Sequence, residues 1–269
     1  MKFGVTANPN IPHARKGVER ILAQIGTKHK TVLESDIAAA LGKKGTSLEK
    51  MDVDFVLAVG GDGTVLRALQ RTAAMVLGIN SGSLGFLTEV TADEFPDALS
   101  RLASQDYVVE ERRKLMVTVD GKRLYDCTNE AVLHTAHVAK IRDFEVWLNG
   151  TLVQKVRADG IIVATPTGST SYNLSVGGPI VDPRVEALVI SAIAPFKPAA
   201  RATVVPTSAQ IRVKLSKPKE CLLVLDGQHE VELKGSEDIR FAGSESRARL
   251  VKFREDFYRR IEEKLVARG

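Results

Sequence analysis

The amino-acid sequence predicts two domains, an open α/β sheet domain followed by a β-rich, sandwich-like domain. Over residues 1–101, apolar strand-like runs alternate with segments whose apolar residues recur at helical spacing, as in α/β folds. Beyond residue 101, apolar and polar residues alternate, and three Asx-Gly pairs interrupt the runs as hairpin turns do. We therefore expect the α/β domain to span residues 1–101 and the β-rich domain to span residues 102–244.

The elements of the first domain follow from local patterns. The continuous apolar run at 55–59 is typical of a strand buried on both faces of a parallel sheet. After the glycines that follow it, apolar residues recur at helical spacing, so a helix is expected to begin at Thr64 or Val65. The other predicted elements are strands at 2–7 and 75–79 and a helix at 14–25.

The second domain is predicted to be mainly antiparallel. Its hairpin signals are Asp120-Gly121, Asn149-Gly150 and Asp226-Gly227, each flanked by strand-like runs. A final amphipathic helix at residues 245–269, with Phe257, Ile261 and Leu265 on its apolar face, is expected to pack back on the first domain.

Composition narrows the function classes. The chain has 269 residues, of which 44% are hydrophobic and 26% are charged, as is usual for a globular protein. Its net charge of +5 favours anionic ligands. Aromatic residues make up only 5% and do not interleave with basic runs, which argues against a nucleic-acid groove. The two cysteines lack metal-ligand spacing, and no apolar run is long enough for a signal peptide or a membrane span. We expect a cytoplasmic protein with no membrane partner.

A glycine-rich stretch, GGDGT at residues 60–64, lies between a predicted strand and a predicted helix. This arrangement aims backbone N–H groups and a helix N-terminus at an anion such as a nucleotide phosphate. The stretch matches neither the Rossmann nor the Walker pattern. A tight turn in which Asp62 makes an Asx hydrogen bond explains the same residues, and the motif alone does not decide between the two readings.

Two further stretches carry polar groups. In the first, Asn129 and Glu130 can hydrogen-bond sugar hydroxyls or ring nitrogens, but two solvated side chains at a strand end are the simpler interpretation. In the second, residues 157–183, hydroxyl residues surround Tyr172, whose flat ring can stack on a base. Apolar flanks argue against a flexible linker there. The pairs Arg112-Arg113 and Arg259-Arg260 are interpreted as solvent-exposed charge.

Taken together, these motifs resemble the NAD kinase family. The resemblance rests on GGDGT at 60–64, NSGSLGFLTEV at 80–90, Asn129-Glu130, the long stretch at 158–181 and DGQ at 226–228. GGDGT alone is shared with diacylglycerol and sphingosine kinases and, loosely, with phosphofructokinases. TPTGSTSY at 165–172 is much more specific.

The resemblance implies an active site in the cleft between the two domains. It implies phosphorylation of the 2′-hydroxyl of the adenosine ribose of NAD, with ATP or polyphosphate as donor, and Asp62 as proton acceptor. It also implies a dimer or tetramer and a divalent cation, Mg²⁺, bound through the donor's phosphates. The residues carried over as binding NAD or the donor are Asp62, Gly63, Arg67, Asn129, Glu130, Lys140, Arg157, Asp159, Thr170, Ser171, Tyr172, Asn173, Leu174, Ser175, Ala194 and Gln228.

Two positions depart from the family pattern. Ser171 stands where the family has alanine, and Phe196 stands where it usually has histidine.

Two other functions compete with NAD kinase activity. A lipid kinase is one alternative, but lipid kinases often have an Asn-Glu segment soon after GGDGT, which this chain lacks. A nucleotide-binding regulator without catalysis is the other, and the intact Asp62 argues against it.

Overall fold

The computed structural model describes residues 1–11, 13–80, 85–137, 140–197 and 200–266. The chain divides into two compact units. Unit 1 comprises Met1–Glu111 and Arg249–Gly269, and unit 2 comprises Arg112–Ala248. These boundaries lie later in the chain than the predicted ones, after residues 101 and 244, because each falls inside a long strand.

Unit 1 contains a parallel sheet with helices between its strands. The order of its main strands is β2-β1-β3-β4, and β5 pairs in parallel with the end of β4. All five residues of β3 are buried, as its uninterrupted apolar sequence predicts. The strands are β1 (Lys2–Thr6), β2 (Lys30–Leu33), β3 (Phe55–Val59), β4 (Met75–Asn80) and β5 (Val90–Thr91), and the helices are α1 (Ala14–Ile25), α2 (Ser35–Ala40), α3 (Asp62–Arg71) and α4 (Phe95–Ala103).

The predicted α1 and β3 have the observed bounds, but α3 begins at Asp62, two or three residues earlier than the expected start at Thr64 or Val65. Gly61 is the extended residue ahead of the helix, and its carbonyl accepts hydrogen bonds from the N–H groups of Thr64 and Val65. Asp62 therefore lies in the first turn of α3, where a carboxylate interacts favourably with the helix dipole.

Unit 2 is a sandwich of antiparallel strands, as predicted. One sheet has the order β13-β12-β11-β8-β15-β16, and the other includes β10-β9-β14-β17. Side chains from both sheets form one apolar core that includes Leu133, Phe144, Leu223 and Phe241. The strands are β6 (Val108–Val119), β7 (Lys122–Arg123), β8 (Glu130–Thr135), β9 (Arg142–Leu148), β10 (Thr151–Ala158), β11 (Gly160–Ala164), β12 (Ala187–Ile193), β13 (Thr203–Pro206), β14 (Ile211–Leu215), β15 (Cys221–Leu225), β16 (His229–Leu233) and β17 (Ile239–Lys252).

The three Asx-Gly pairs form hairpin turns with left-handed backbone at both central residues. The φ angles are 50° and 78° at Asp120-Gly121, 48° and 84° at Asn149-Gly150, and 51° and 63° at Asp226-Gly227. These values confirm the type I′ turns that the sequence predicts.

The prediction of a helix throughout residues 245–269 is wrong. Strand β17 continues to Lys252, because buried Ala248 and Leu250 alternate with more exposed residues at the spacing of a strand. Helix α6 (Phe257–Ile261) follows, and a wider helical turn spans Glu262–Val266. Within the part of the chain that the structure describes, no helix has both the length and the apolar character needed to cross a bilayer.

Candidate active site

In unit 1, the Asp62 carboxylate is held by a segment that follows β4. Its Oδ2 accepts a hydrogen bond from the N–H of Phe86 at 2.7 Å, and its Oδ1 accepts from Leu87 at 3.0 Å and Thr88 at 3.1 Å. Three backbone donors therefore fix both oxygens of a half-buried side chain. The carboxylate is thus anchored by residues distant in sequence, and the Asx turn is not what holds it.

The close approach of this segment requires a glycine at position 85. A Cβ on Gly85 would lie 1.9 Å from Asp62 Oδ1, so any side chain there would displace the carboxylate. The hydroxyl of Thr88 accepts a hydrogen bond from the Gly85 N–H at 2.6 Å and closes the turn. Gly61 and Gly63, on either side of Asp62, are exposed, which leaves that side open to a ligand.

Arg67, a predicted substrate contact on α3, is engaged within unit 1. Its guanidinium pairs with the buried Glu34 carboxylate, with Nη2 2.6 Å from Oε2 and Nη1 3.0 Å from Oε1. Nη2 also donates to Thr6 Oγ1 and to the carbonyl of Ala7. These contacts tie α3 to the end of β1, and a role for Arg67 toward substrate stays a prediction.

In unit 2, Asn129 and Glu130 lie at the start of β8 and are 8% and 6% exposed. Their N–H groups, with that of Thr128, donate to the Asp226 carboxylate at 2.7, 3.1 and 2.7 Å for Asn129, Glu130 and Thr128. The interpretation of two solvated strand-end side chains is therefore wrong. Asp226 itself is absent from the predicted site, although its place in a DG turn directly after a strand was visible in the sequence.

Three buried oxygens in this segment have no hydrogen-bond partner within the described residues: Thr128 Oγ1, Asn129 Oδ1 and Glu130 Oε2. Leaving a buried polar group unpaired costs about 1–3 kcal/mol. A ligand with hydroxyl or amide groups would remove that cost, so these atoms point to a polar ligand. Gly168 contacts the same segment, and a Cβ there would lie 2.2 Å from the Asn129 carbonyl oxygen.

The carboxyl groups of unit 2 have shifted pKa values. Burial raises the pKa of Glu130 to about 8, and the nearby negative charge of Asp226 adds to the rise. Burial also raises the pKa of Asp226 to about 6, against the lowering effect of its three backbone hydrogen bonds. Glu130 therefore carries a proton at neutral pH and can both donate and accept hydrogen bonds. Ser171 Oγ donates to Glu130 Oε1 at 3.2 Å, which gives the departure from alanine a structural role.

The hydroxyl-rich stretch is ordered, so the flexible-linker interpretation is wrong. It forms a 3₁₀ helix at Thr167–Thr170 and the short helix α5 (Tyr172–Ser175), and it covers the outer face of the six-stranded sheet. Asn173 is fully buried, donates to the carbonyls of Ser169 and Pro179, and accepts from Ser191 Oγ at 2.7 Å. Its side chain supports the loop, whereas the Tyr172 ring is 38% exposed and free to stack.

The remaining predicted residues of unit 2 differ in exposure. Thr170, Leu174 and Asp159 are half-buried, and the others are exposed: Lys140, Arg157, Ser175, Ala194 and Gln228. The Arg157 guanidinium lies 5.5 Å from the centre of the Phe196 ring, and the Arg157 carbonyl accepts from the Phe196 N–H. Phe196 thus replaces the usual histidine with a surface for a cation.

Comparison with known proteins identifies the family. Residues 13–107 match the ATP-NAD kinase N-terminal domain, and residues 128–253 match the ATP-NAD kinase C-terminal domain. The chain belongs to the NAD kinase family. It is 42% identical to a NAD kinase of Thermoplasma volcanium over 87% of each chain. It is 38% identical to that of Thermoplasma acidophilum over 99% of this chain and 98% of the relative.

Solved structures of NAD kinases share the fold. A NAD kinase from Archaeoglobus fulgidus, in complex with ATP, superposes with a TM-score of 0.78 at 29% identity and covers 100% of both chains. A yeast NADH kinase complexed with NADH superposes with a TM-score of 0.90 at 24% identity, over 98% of this chain and 87% of that one. The predicted NAD kinase fold and NAD kinase activity are therefore confirmed. The matches favour this phosphotransferase family over the two alternatives, a lipid kinase and a regulator without catalysis.

The described residues do not form a metal centre of their own. Among them, no three His, Cys, Asp or Glu side chains come together as a ligand set. The Asp62 carboxylate is already engaged by three N–H groups.

Proposed function

We propose that this NAD kinase transfers the terminal phosphoryl group of ATP, or of polyphosphate, to the 2′-hydroxyl of the adenosine ribose of NAD. The observation that carries the proposal for NAD is the set of three unpartnered buried oxygens at Thr128, Asn129 and Glu130. Ribose hydroxyls and a nicotinamide amide both donate and accept hydrogen bonds, so they can pair with the Asn129 carbonyl oxygen, the Thr128 hydroxyl and the protonated Glu130 carboxyl. Tyr172, with its exposed ring, offers a face on which a base stacks.

Asp62 acts as the general base in this proposal. A carboxylate has about four acceptor positions, and the three backbone N–H groups leave one on Oδ2. That position can take the proton of the ribose hydroxyl as it attacks the terminal phosphorus of the donor. Phosphoryl transfer otherwise asks the protein mainly for positioning and for management of charge.

The divalent cation, Mg²⁺, is assigned to the phosphates of the donor, since the described residues offer no ligand set for it. Cytoplasmic location and assembly into a homodimer or homotetramer are parts of the same proposal. The end strands β13 and β16 leave sheet edges that a second copy can cover.

The test is an assay of the purified protein for NADP. Reactions contain NAD with ATP or with polyphosphate, each with Mg²⁺ and with excess EDTA, and Asp62→Asn serves as the matched variant. Formation of NADP that needs the metal and that Asp62→Asn abolishes supports the proposal. Full activity in EDTA contradicts the cation assignment, and a monomeric mass by light scattering contradicts the oligomer.

A further inference from the structure

Helix α6 carries a buried arginine that the proposed reaction leaves unexplained. The side chain of Arg260 is 5% exposed, whereas that of its neighbour Arg259 is 68% exposed and pairs with Glu263. The prediction that both arginines are solvent-exposed is right for Arg259 and wrong for Arg260, as it is for the buried Arg112. A buried guanidinium is costly unless partners satisfy its N–H groups.

One side of the Arg260 guanidinium meets carboxylates. Nη2 donates to Glu89 Oε2 at 3.0 Å, and Nε lies 2.8 Å from Asp256 Oδ2. Glu89 is 1% exposed and also binds the Lys252 ammonium and the N–H of Phe253. These contacts neutralise the arginine and hold it against the segment that follows β4.

The other side of the guanidinium donates hydrogen bonds to the turn at residues 85–88, whose N–H groups bind the Asp62 carboxylate. Nη1 donates to the carbonyl oxygen of Gly85 at 2.8 Å and to that of Thr88. The carbonyl of Gly85 and the N–H of Phe86 belong to one peptide plane and point in opposite directions. That plane therefore faces Arg260 with its oxygen and Asp62 with its hydrogen.

We propose that Arg260 is a positioning residue for Asp62, and that the C-terminal segment holds the catalytic carboxylate in place through the turn at residues 85–88. This inference rests on the proposed role of Asp62 as general base. A cation on a peptide carbonyl also strengthens the hydrogen bond that the same peptide donates, so Arg260 both orients and polarises the Phe86 N–H. Without Arg260, the turn loses its anchor and the carboxylate loses a fixed direction toward the hydroxyl.

Lys252 provides the matched comparison. Its ammonium binds the same Glu89 carboxylate and lies 3.7 Å from the Asp256 carboxylate, so within the described residues it pairs with carboxylates and not with the turn carbonyls. Burial lowers the pKa of Lys252. Removal of either cation leaves Glu89 short of a partner, whereas only removal of Arg260 releases the turn.

The experiment compares Arg260→Gln, Arg260→Lys, Lys252→Met and Arg259→Gln at a temperature where all are folded. Arg260→Gln is expected to lower kcat at least tenfold with KM for NAD within about twofold, because position affects the transition state more than binding. Its amides at residues 86–88 should exchange hydrogen faster than in the wild type. Lys252→Met should lose a similar amount of Tm but keep kcat and slow exchange, and Arg259→Gln should match the wild type.

Arg260→Lys keeps a charge beside Glu89 but has no fork to hold two carbonyls, so it should keep Tm and still lose kcat. Arg260→Lys takes the place of Arg260→Gln in the comparison if Arg260→Gln does not fold. The inference is overturned if folded Arg260 variants have normal kcat and normal exchange, or if Lys252→Met loses kcat to the same extent. Asp62→Asn is measured alongside: normal turnover there refutes the general base, whereas an inactive Asp62→Asn with normal Arg260 variants refutes only the positioning role.

Discussion

Asp62 and Asp226 each accept hydrogen bonds from three backbone N–H groups, but they lie in different surroundings. Asp62, in unit 1, is half-buried between exposed glycines, whereas Asp226, in unit 2, is 4% exposed. The donors of Asp62 come from a turn, and those of Asp226 come from the residues that precede and begin strand β8. The same hydrogen-bond pattern therefore has two uses. It holds the Asp62 carboxylate where a substrate can reach it, and it makes the Asp226 carboxylate a support for the backbone of its three donor residues.

The largest effect is expected from Asp62→Asn. Asparagine keeps one oxygen for the N–H groups of Leu87 and Thr88 but leaves the half-buried N–H of Phe86 without its acceptor, so some stability should be lost while the protein stays folded and keeps its affinity for NAD. Loss of the base should lower kcat on the order of 10²–10⁴-fold. Steady-state kinetics beside a circular dichroism melt check this, and near-normal turnover would show that Asp62 only shapes the turn.

The next effect is expected from Asn129→Ala and Glu130→Ala. Each removes a buried polar group that the proposal assigns to NAD, so binding should weaken by roughly 1–3 kcal/mol, or about ten- to a hundredfold. KM for NAD is the readout, and KM for ATP in the same variants is the control. Unchanged KM for NAD in both would remove these residues from the site.

Asp226→Asn should act on stability and leave the chemical step intact. The amide can accept from fewer of the three N–H groups, and each buried donor left unpaired costs about 1–3 kcal/mol. Urea unfolding should show a lower free energy of unfolding, and kcat at saturating NAD should stay within a few-fold of the wild type. If Asp226→Asn instead lost kcat as Asp62→Asn does, the contrast between the two aspartates would be wrong.

The last effect is a change in the pH dependence of stability, which is measured as a slope and not as a single loss. The folded pKa of Glu130 is about 8, above its ordinary value, so between about pH 4.5 and pH 8 the folded state keeps a proton that the unfolded state has released. The free energy of unfolding falls as pH rises through this window. Glu130→Gln removes this titration, so its stability relative to the wild type should rise from pH 5 to pH 8.5 in urea unfolding. A constant difference would contradict the shifted pKa.

Local patterns predicted much of this fold. The apolar run of β3, the spacing in α1 and the Asx-Gly turns depend on neighbouring residues, and the structure reproduces them. The helix prediction for residues 245–269 failed because three apolar residues near the chain end outweighed the alternation in β17. Alternation over a few residues is a weak signal when the partner strand is distant in sequence.

The site was predicted less completely, because its key contacts join distant residues. Asp226 is 96–98 residues from its three donors, and no local pattern reveals that pairing. Arg259 and Arg260 are identical neighbours in the sequence, yet Glu89, 171 positions earlier, decides which of them is buried. The motif at 80–90 was noted for its resemblance, but its hold on Asp62 became visible only in the fold.

The unpaired oxygens at Thr128, Asn129 and Glu130 have a consequence for the stability and abundance of the protein in the cell. A ligand that satisfies them binds the folded chain and not the unfolded one, so dinucleotide at a hundred times its Kd would add about 2.7 kcal/mol to stability. A shift of that size changes the fraction of molecules open to proteases by about a hundredfold. The abundance of this enzyme should therefore follow the supply of its own substrate.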